Sequence, residues 1–298
     1  MPNPRYKLFD THAHFFTNDT ARYPIDLTGA REGAEALTQR LQTNPATAEA
    51  VFKLWDECGV TGGAAVQYNT VYKTDNRYTI DVADAHHDRV SAVLILNAAA
   101  PETPEQLRTL AARHHVSGLR LFGYPDEAGN YPWLDSEAAL KTWDVAAAAG
   151  LHMIVMYAPG KPSSAALGRI VALAKRYPDT IIALDHCGWP GVEGGVHGTI
   201  GPEHLALVDV PNIRFKFTQI NLNRFAETGI DPAAFVRLMV DTYGADRLMW
   251  GSDYGNTKIG YPEMAEQAIA ATAQLDEGER AKVLHDNGAA LFGDRLKP

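Results

Sequence analysis

Two rhythms of apolar residues succeed one another along this chain. Short apolar runs predict strands over residues 6–12, 60–68, 91–97, 118–122, 151–157, 181–186, 213–218 and 247–253. Between them, apolar positions recur at helical spacing over 46–58, 77–87, 105–115, 136–149, 164–176, 232–243 and 261–271. Pro104 suits a first helical turn and Gly150 a C-terminal cap. The unbroken run Val93, Leu94, Ile95, Leu96 suits a strand buried on both faces. Strands alternating with helices predict a parallel sheet with helical crossovers. With eight units, the simplest closure is a single (β/α)8 TIM-type barrel, taken as one domain over residues 1–298. The rival is an open doubly wound sheet, but no Gly-x-Gly-x-x-Gly follows the first strand, which removes support for its dinucleotide-binding form.

Composition narrows the function classes. At 46% hydrophobic over 298 residues, the chain can bury one large core, and no linker-like tract divides it. A net charge of −9 with no basic stripe argues against nucleic acid as a partner. No apolar run is long enough to span a bilayer, and no secretory segment precedes the first strand. Two cysteines, Cys58 and Cys187, fit reduced thiols in a cytoplasmic protein. No interface signature stands out, and self-association into a homo-oligomer is left open.

Barrel enzymes place their chemistry at the C-terminal ends of the strands, and that rule selects residues here. His12 and His14 are one residue apart at the end of the first strand, so their imidazoles share a side and can converge on one point. The sixth strand leads into Asp185-His186-Cys187-Gly188, adding a third imidazole, and the eighth into Trp250-Gly251-Ser252-Asp253, adding a carboxylate. In a closed barrel the first and eighth strands are neighbours, which brings Asp253 to the histidine pair. Taken singly, His186 reads as a core histidine and Asp253 as a loop cap. Together, His12, His14, His186 and Asp253 suit one divalent metal ion, zinc first among candidates. Asp253 equally suits a general base.

These segments, with 286–293 near the end of the chain, resemble the amidohydrolase superfamily. The resemblance is to its amidohydrolase-related lactonase branch, which holds sugar-acid and 2-pyrone-4,6-dicarboxylate lactonases. It implies that His12, His14, His186 and Asp253 occupy metal or catalytic positions. Many members carry a histidine at the end of strand five; Tyr157 stands there instead, and His152 lies at that strand's opposite end. The fourth strand offers Arg120 and Phe122 and no bridging lysine, which argues against a two-metal site. Tyr157 is similar to the metal-free lactonases of the branch, so a metal-free mechanism stands as an alternative.

Strand seven alternates Arg214, Lys216 and Thr218 with Ile213, Phe215 and Phe217, which turns the polar set toward the barrel interior. Lys216 and Arg120 are the expected holders of a small anionic substrate, with Arg77 and Tyr23 as contacts at the mouth, Tyr23 from a long loop over 15–41. Arg214 reads as a salt bridge at the lower end of the barrel. The expected reaction is hydrolytic opening of a carboxylate-bearing lactone: Asp253 activates water, the histidines stabilise the oxyanion, and Tyr157 hydrogen-bonds the carbonyl or leaving oxygen. Lactone isomerisation, metal-dependent decarboxylation of an aromatic acid and a non-catalytic metabolite-binding barrel are the alternatives. His86, His87, His114 and His115 read as surface residues at helix ends, and His204 and His285 as remote from the strand ends. His197 sits in a glycine-rich loop that could cover the site, and Cys187 reads as packing.

Overall fold

The computed structural model describes residues 6–158 and 163–296. Parallel strands follow one another around a single sheet in chain order. They are β1 (Leu8–Ala13), β2 (Val60–Val66), β3 (Val90–Ile95), β4 (Val116–Gly123), β5 (His152–Tyr157), β6 (Ile182–Leu184), β7 (Ile213–Thr218) and β8 (Leu248–Gly251). Beyond β8 the Asp253 N–H donates to the His12 carbonyl at 2.7 Å, and the His14 N–H to the Tyr254 carbonyl at 3.0 Å. Last strand meets first, and the (β/α)8 barrel closes.

The first half carries helices α1 (Ala34–Thr43), α2 (Ala48–Cys58), α3 (Arg77–Ala85), α4 (Thr103–Arg113) and α5 (Glu137–Ala148). The second half carries α6 (Ser163–Arg176), α7 (Gln219–Thr228), α8 (Pro232–Tyr243), α9 (Tyr261–Ala271) and α10 (Asn287–Phe292). Local signals set their ends. The Thr47 hydroxyl accepts from the Ala50 N–H to start α2, and Gly59 at φ +77° ends it. Three of these helices escaped the hydrophobic pattern. The segment expected as a loop over 15–41 holds most of α1, α7 follows β7 directly, and α10 lies past the last predicted stretch. No helix among the described residues is long and apolar enough to cross a membrane.

The interior of the barrel has two levels. Phe9, Ala64, Val66, Val93, Ile154, Ala183 and Met249 pack with Phe292 of α10 into an inner apolar plug. Gly118 makes room for it, since a Cβ there would lie 2.6 Å from the Ile154 Cδ1. His152 bonds the Leu291 carbonyl of α10 at 2.7 Å, which puts it at the lower end as expected. Arg214 also lies there, but its guanidinium donates to the Pro211 and Ile213 carbonyls and forms no salt bridge among the described residues. Above the plug, register shifts on both sides of Asp10 break the alternation of β1. Phe9 therefore joins the plug while His12 and His14 still reach the mouth.

Asp10 ties the seam. Its buried carboxyl accepts from the Ser252 N–H at 2.8 Å, the Ser252 hydroxyl at 2.6 Å, the Tyr261 hydroxyl at 2.8 Å and the His12 N–H at 3.0 Å. Gly251 lets the two strands approach, because a Cβ would lie 2.5 Å from the His12 Cβ.

Candidate active site

His12, His14 and Asp253 each turn a ligand atom inward, all within 4.8 Å of one another. The Asp253 Oδ1 lies 3.5 Å from the His12 Nε2 and 3.3 Å from the His14 Nε2. What lies behind the rings fixes their tautomers. The His14 Nδ1 is 2.9 Å from the Val66 carbonyl, which can only accept. The His12 Nδ1 is 3.1 Å from the Asp185 carboxylate. Both Nδ1 atoms must donate, so in the neutral rings both Nε2 atoms carry lone pairs. The His12 Nε2 is buried with no hydrogen-bond partner among the described residues. Lone pairs and a carboxylate oxygen at such separations repel unless a proton or a cation sits between them. This donor set, with outer acceptors orienting the imidazoles, fits a divalent ion.

His186 arrives by an unusual backbone. The strand expected to run to residue 186 stops at Leu184, and His186, Cys187, Gly188 and Trp189 then take φ of 53°, 55°, 67° and 57°. Left-handed geometry costs a non-glycine residue roughly 1–2 kcal/mol. The surroundings hold it in place. Asn221 donates to the His186 carbonyl at 2.9 Å, and the His186 Nδ1 meets the Thr218 hydroxyl at 2.7 Å. The Gly188 carbonyl accepts from both the Tyr157 hydroxyl and the His204 Nε2. His186 stands beside the cluster, its ring centroid 5.6 Å from that of His12, but outside the three-ligand group. Asp253 is also left-handed, at φ +58°, and its Oδ2 is held by the Asn256 side chain at 3.0 Å. Strained non-glycine residues thus gather at the C-terminal ends of β6 and β8, on either side of β7.

Asp185 is the central residue that the sequence reading missed. It accepts from the Arg120 Nε at 2.7 Å and stands 3.6 Å from the Lys216 Nζ. On an ideal strand it would point away from His186; the left-handed turn lets both serve the interior. An aspartate ending an apolar strand needs a partner when buried, and that signal was available. Burial would raise its pKa, but His12, Arg120 and Lys216 outweigh burial and hold it well below the carboxylate range. Burial pushes His12 down to about 3 against the pull of Asp185, so it is neutral at pH 7. Burial would likewise raise Asp253, and the imidazoles of His14, His186 and His12 outweigh it, so it is ionised.

The remaining expected residues divide. Arg120 commits its Nε to Asp185, and its terminal nitrogens have no hydrogen-bond partner among the described residues. Lys216 is 0% exposed and donates to the Thr11 carbonyl at 2.9 Å, so it acts through charge and not through contact at the mouth. Burial pushes it down to about 8. Tyr157 is buried, and its hydroxyl donates to the Gly188 carbonyl. Arg77 pairs with Asp75, and the Tyr23 hydroxyl bonds Asp81; none of their contacts reaches the cluster. His204, expected far from the site, is buried behind it. Arg224 was missed altogether. Its guanidinium lies 5.4 Å over the Trp189 ring, which packs on His186, and its Nη1 is buried without a partner among the described residues.

The family model described as Amidohydrolase matches residues 9–293. The chain belongs to the amidohydrolase family. Within reach of this amidohydrolase chain is the L-fucono-1,5-lactonase of Burkholderia ambifaria, 25% identical over 190 residues. That stretch is 62% of each protein, so the chain spans less than two thirds of that relative's length. Solved structures share the fold over nearly the whole amidohydrolase chain. A probable 2-pyrone-4,6-dicarboxylic acid hydrolase of Acinetobacter baumannii, with citric acid bound, has a TM-score of 0.69 at 22% identity. The match covers 96% of this chain and 99% of that one. An amidohydrolase of Burkholderia multivorans with bound zinc has a TM-score of 0.73 at 18% identity, covering 98% and 100%.

Proposed function

We propose that this chain hydrolyses a lactone bearing a carboxylate, with one divalent ion, zinc first among candidates, held by His12, His14 and Asp253. The observation that carries the reading is the convergence of two Nε2 lone pairs on the Asp253 carboxylate, with the outward nitrogens already committed. An ion bound there supplies Lewis-acid polarisation of a carbonyl and makes water more acidic.

The side chains account for the rest. Asp253 takes the proton of the attacking water and returns it to the ring oxygen as the ring opens. His186, braced by Thr218, faces the developing negative charge on the carbonyl oxygen. Tyr157 serves the reaction by bracing the turn that carries His186. The positive charges of Arg120 and Lys216 offset the negative charges of Asp185 and Asp253, so the charge of the bound ion is the excess that favours an anionic substrate. Arg120 offers its terminal nitrogens to the substrate carboxylate, and Arg224 presents a further cation beyond His186.

The test measures ring opening over a panel of carboxylated lactones and their methyl esters, beside metal content per chain by plasma mass spectrometry. Preference for the free acid by about a hundredfold or more, the size of a lost buried ion pair, is the expected result. Equal rates on the esters would remove the anionic-substrate assignment. Release of carbon dioxide or an isomeric lactone would replace hydrolysis with decarboxylation or isomerisation, and silence across the panel would favour a binding barrel. Turnover by metal-free protein would leave a shared proton between the imidazoles and Asp253, and side-chain acid–base catalysis.

A further inference from the structure

Arg40 lies outside the barrel, on α1, yet it reaches both sides of the site. Its Nη2 donates to the Tyr68 hydroxyl at 2.8 Å, and its Nη1 donates to the Gly255 carbonyl, two residues past Asp253. The Tyr68 ring stacks on the His14 imidazole, with centroids 4.9 Å apart and planes 23° from parallel. Gly255 packs under the same histidine: a Cβ there would lie 3.1 Å from the His14 Cβ and 3.0 Å from its carbonyl oxygen. Glu32 accepts from the Arg40 Nη2 at 2.5 Å and anchors the guanidinium from behind. One planar cation therefore joins the ring stacked on His14 to the segment that carries Asp253. The fork of a guanidinium can hold both acceptors in fixed geometry, whereas a lysine ammonium is a single point of attachment.

We infer that Arg40 is a positioning residue: by clamping Tyr68 and the Gly255 turn together, it sets the plane of the His14 imidazole against Asp253. The inference rests on the reading of His14 and Asp253 as a reacting pair, but its test does not. Tyr68 stacked on His14 imposes a ring-current shift on the imidazole protons, and this is read by NMR of the full chain labelled at histidine Cε1. The His14 signal is assigned by its loss in His14→Asn. Arg40→Met is expected to move that signal toward an unstacked position, and Arg40→Lys to move it less. His114 and His115, at the far end of the barrel, are expected to stay in place and so report an intact fold.

A second reading uses cobalt(II), whose visible absorption reports its coordination without substrate. Loss of an outer residue that orients a ligand typically lowers metal affinity about 10–100-fold, and Arg40→Met is expected to fall in that range with partial rescue by Arg40→Lys. An unmoved His14 signal in Arg40→Met would overturn the inference, whatever the metal does. If Arg40→Met moves the signal while Asp253→Asn keeps full activity, the clamp stands and the reading of the reacting pair falls.

Discussion

Halfway along its axis the barrel interior changes its chemistry. Below, side chains from seven segments meet as an apolar plug. Above, within the same ring of strands, Asp185, Arg120, Lys216, His12 and Asp253 are buried almost as completely. The plug gains from burial alone, at about 25 cal/mol per Å² of apolar surface. The upper level loses hydration on every charge, and recovers it only because each group has a partner of fitted geometry. The lower half is therefore tolerant in detail and large in stabilisation, while the upper half is exacting and holds the titratable groups.

Substitutions at the two levels should separate these roles. Asp253→Asn is expected to lower turnover about 10³-fold or more, equivalent to roughly 4 kcal/mol of transition-state stabilisation. Its thermal midpoint should stay close to that of the parent protein, and near-normal rates would remove Asp253 from the mechanism. Asp185→Asn leaves Arg120 and Lys216 buried without their carboxylate, so a loss of about 3–5 kcal/mol is expected in urea unfolding, together with activity. A stable, active Asp185→Asn protein would mean that the two cations are solvated in a way the geometry does not show. Ile154→Ala opens a cavity in the plug at an expected 2–5 kcal/mol, while turnover below the unfolding transition stays near normal. Loss of activity without loss of stability there would break the division between levels.

The smallest effect lies at the lower rim. Asp84 accepts from the His114 ring at 2.6 Å and from the His115 N–H at 3.0 Å. Burial opposes ionisation, but these donors outweigh it and lower the Asp84 pKa. Its contribution is thus present above the unfolded-state pKa and is lost as pH falls through the lower folded value. With Asp84 about a third exposed, solvent screening limits that contribution to a few tenths of a kcal/mol up to about 1. Asp84→Asn should lose this amount at pH 7 and match the parent protein in acid; a gap that persists in acid would assign the effect to packing.

How much of this could be read from the chain follows the same division. Strand positions were legible because burial on both faces leaves unbroken apolar runs, as in Val93 and Leu94. His12 and His14 were legible because a strand projects alternate residues together. Asp185 was hidden because the strand ends one residue before it and the backbone turns left-handed, which no alternation rule anticipates. Arg40 was hidden because α1 buries only Leu37 and Leu41, too few to announce a helix. The α7 helix starts from a capping box between Thr218 and Asn221, and its run of Gln, Asn and Arg masks the spacing of Leu222 and Phe225.

The seam closed by Asp10 has a consequence for synthesis. Asp10 and Ser252 are 242 positions apart, so β1 and β8 must both have emerged from the ribosome before the seam between them is fastened. Until then His12 and His14 have no Asp253 opposite them, and a nascent chain cannot gather the full cluster. The candidate site comes into being in one event, at the moment the barrel becomes a ring.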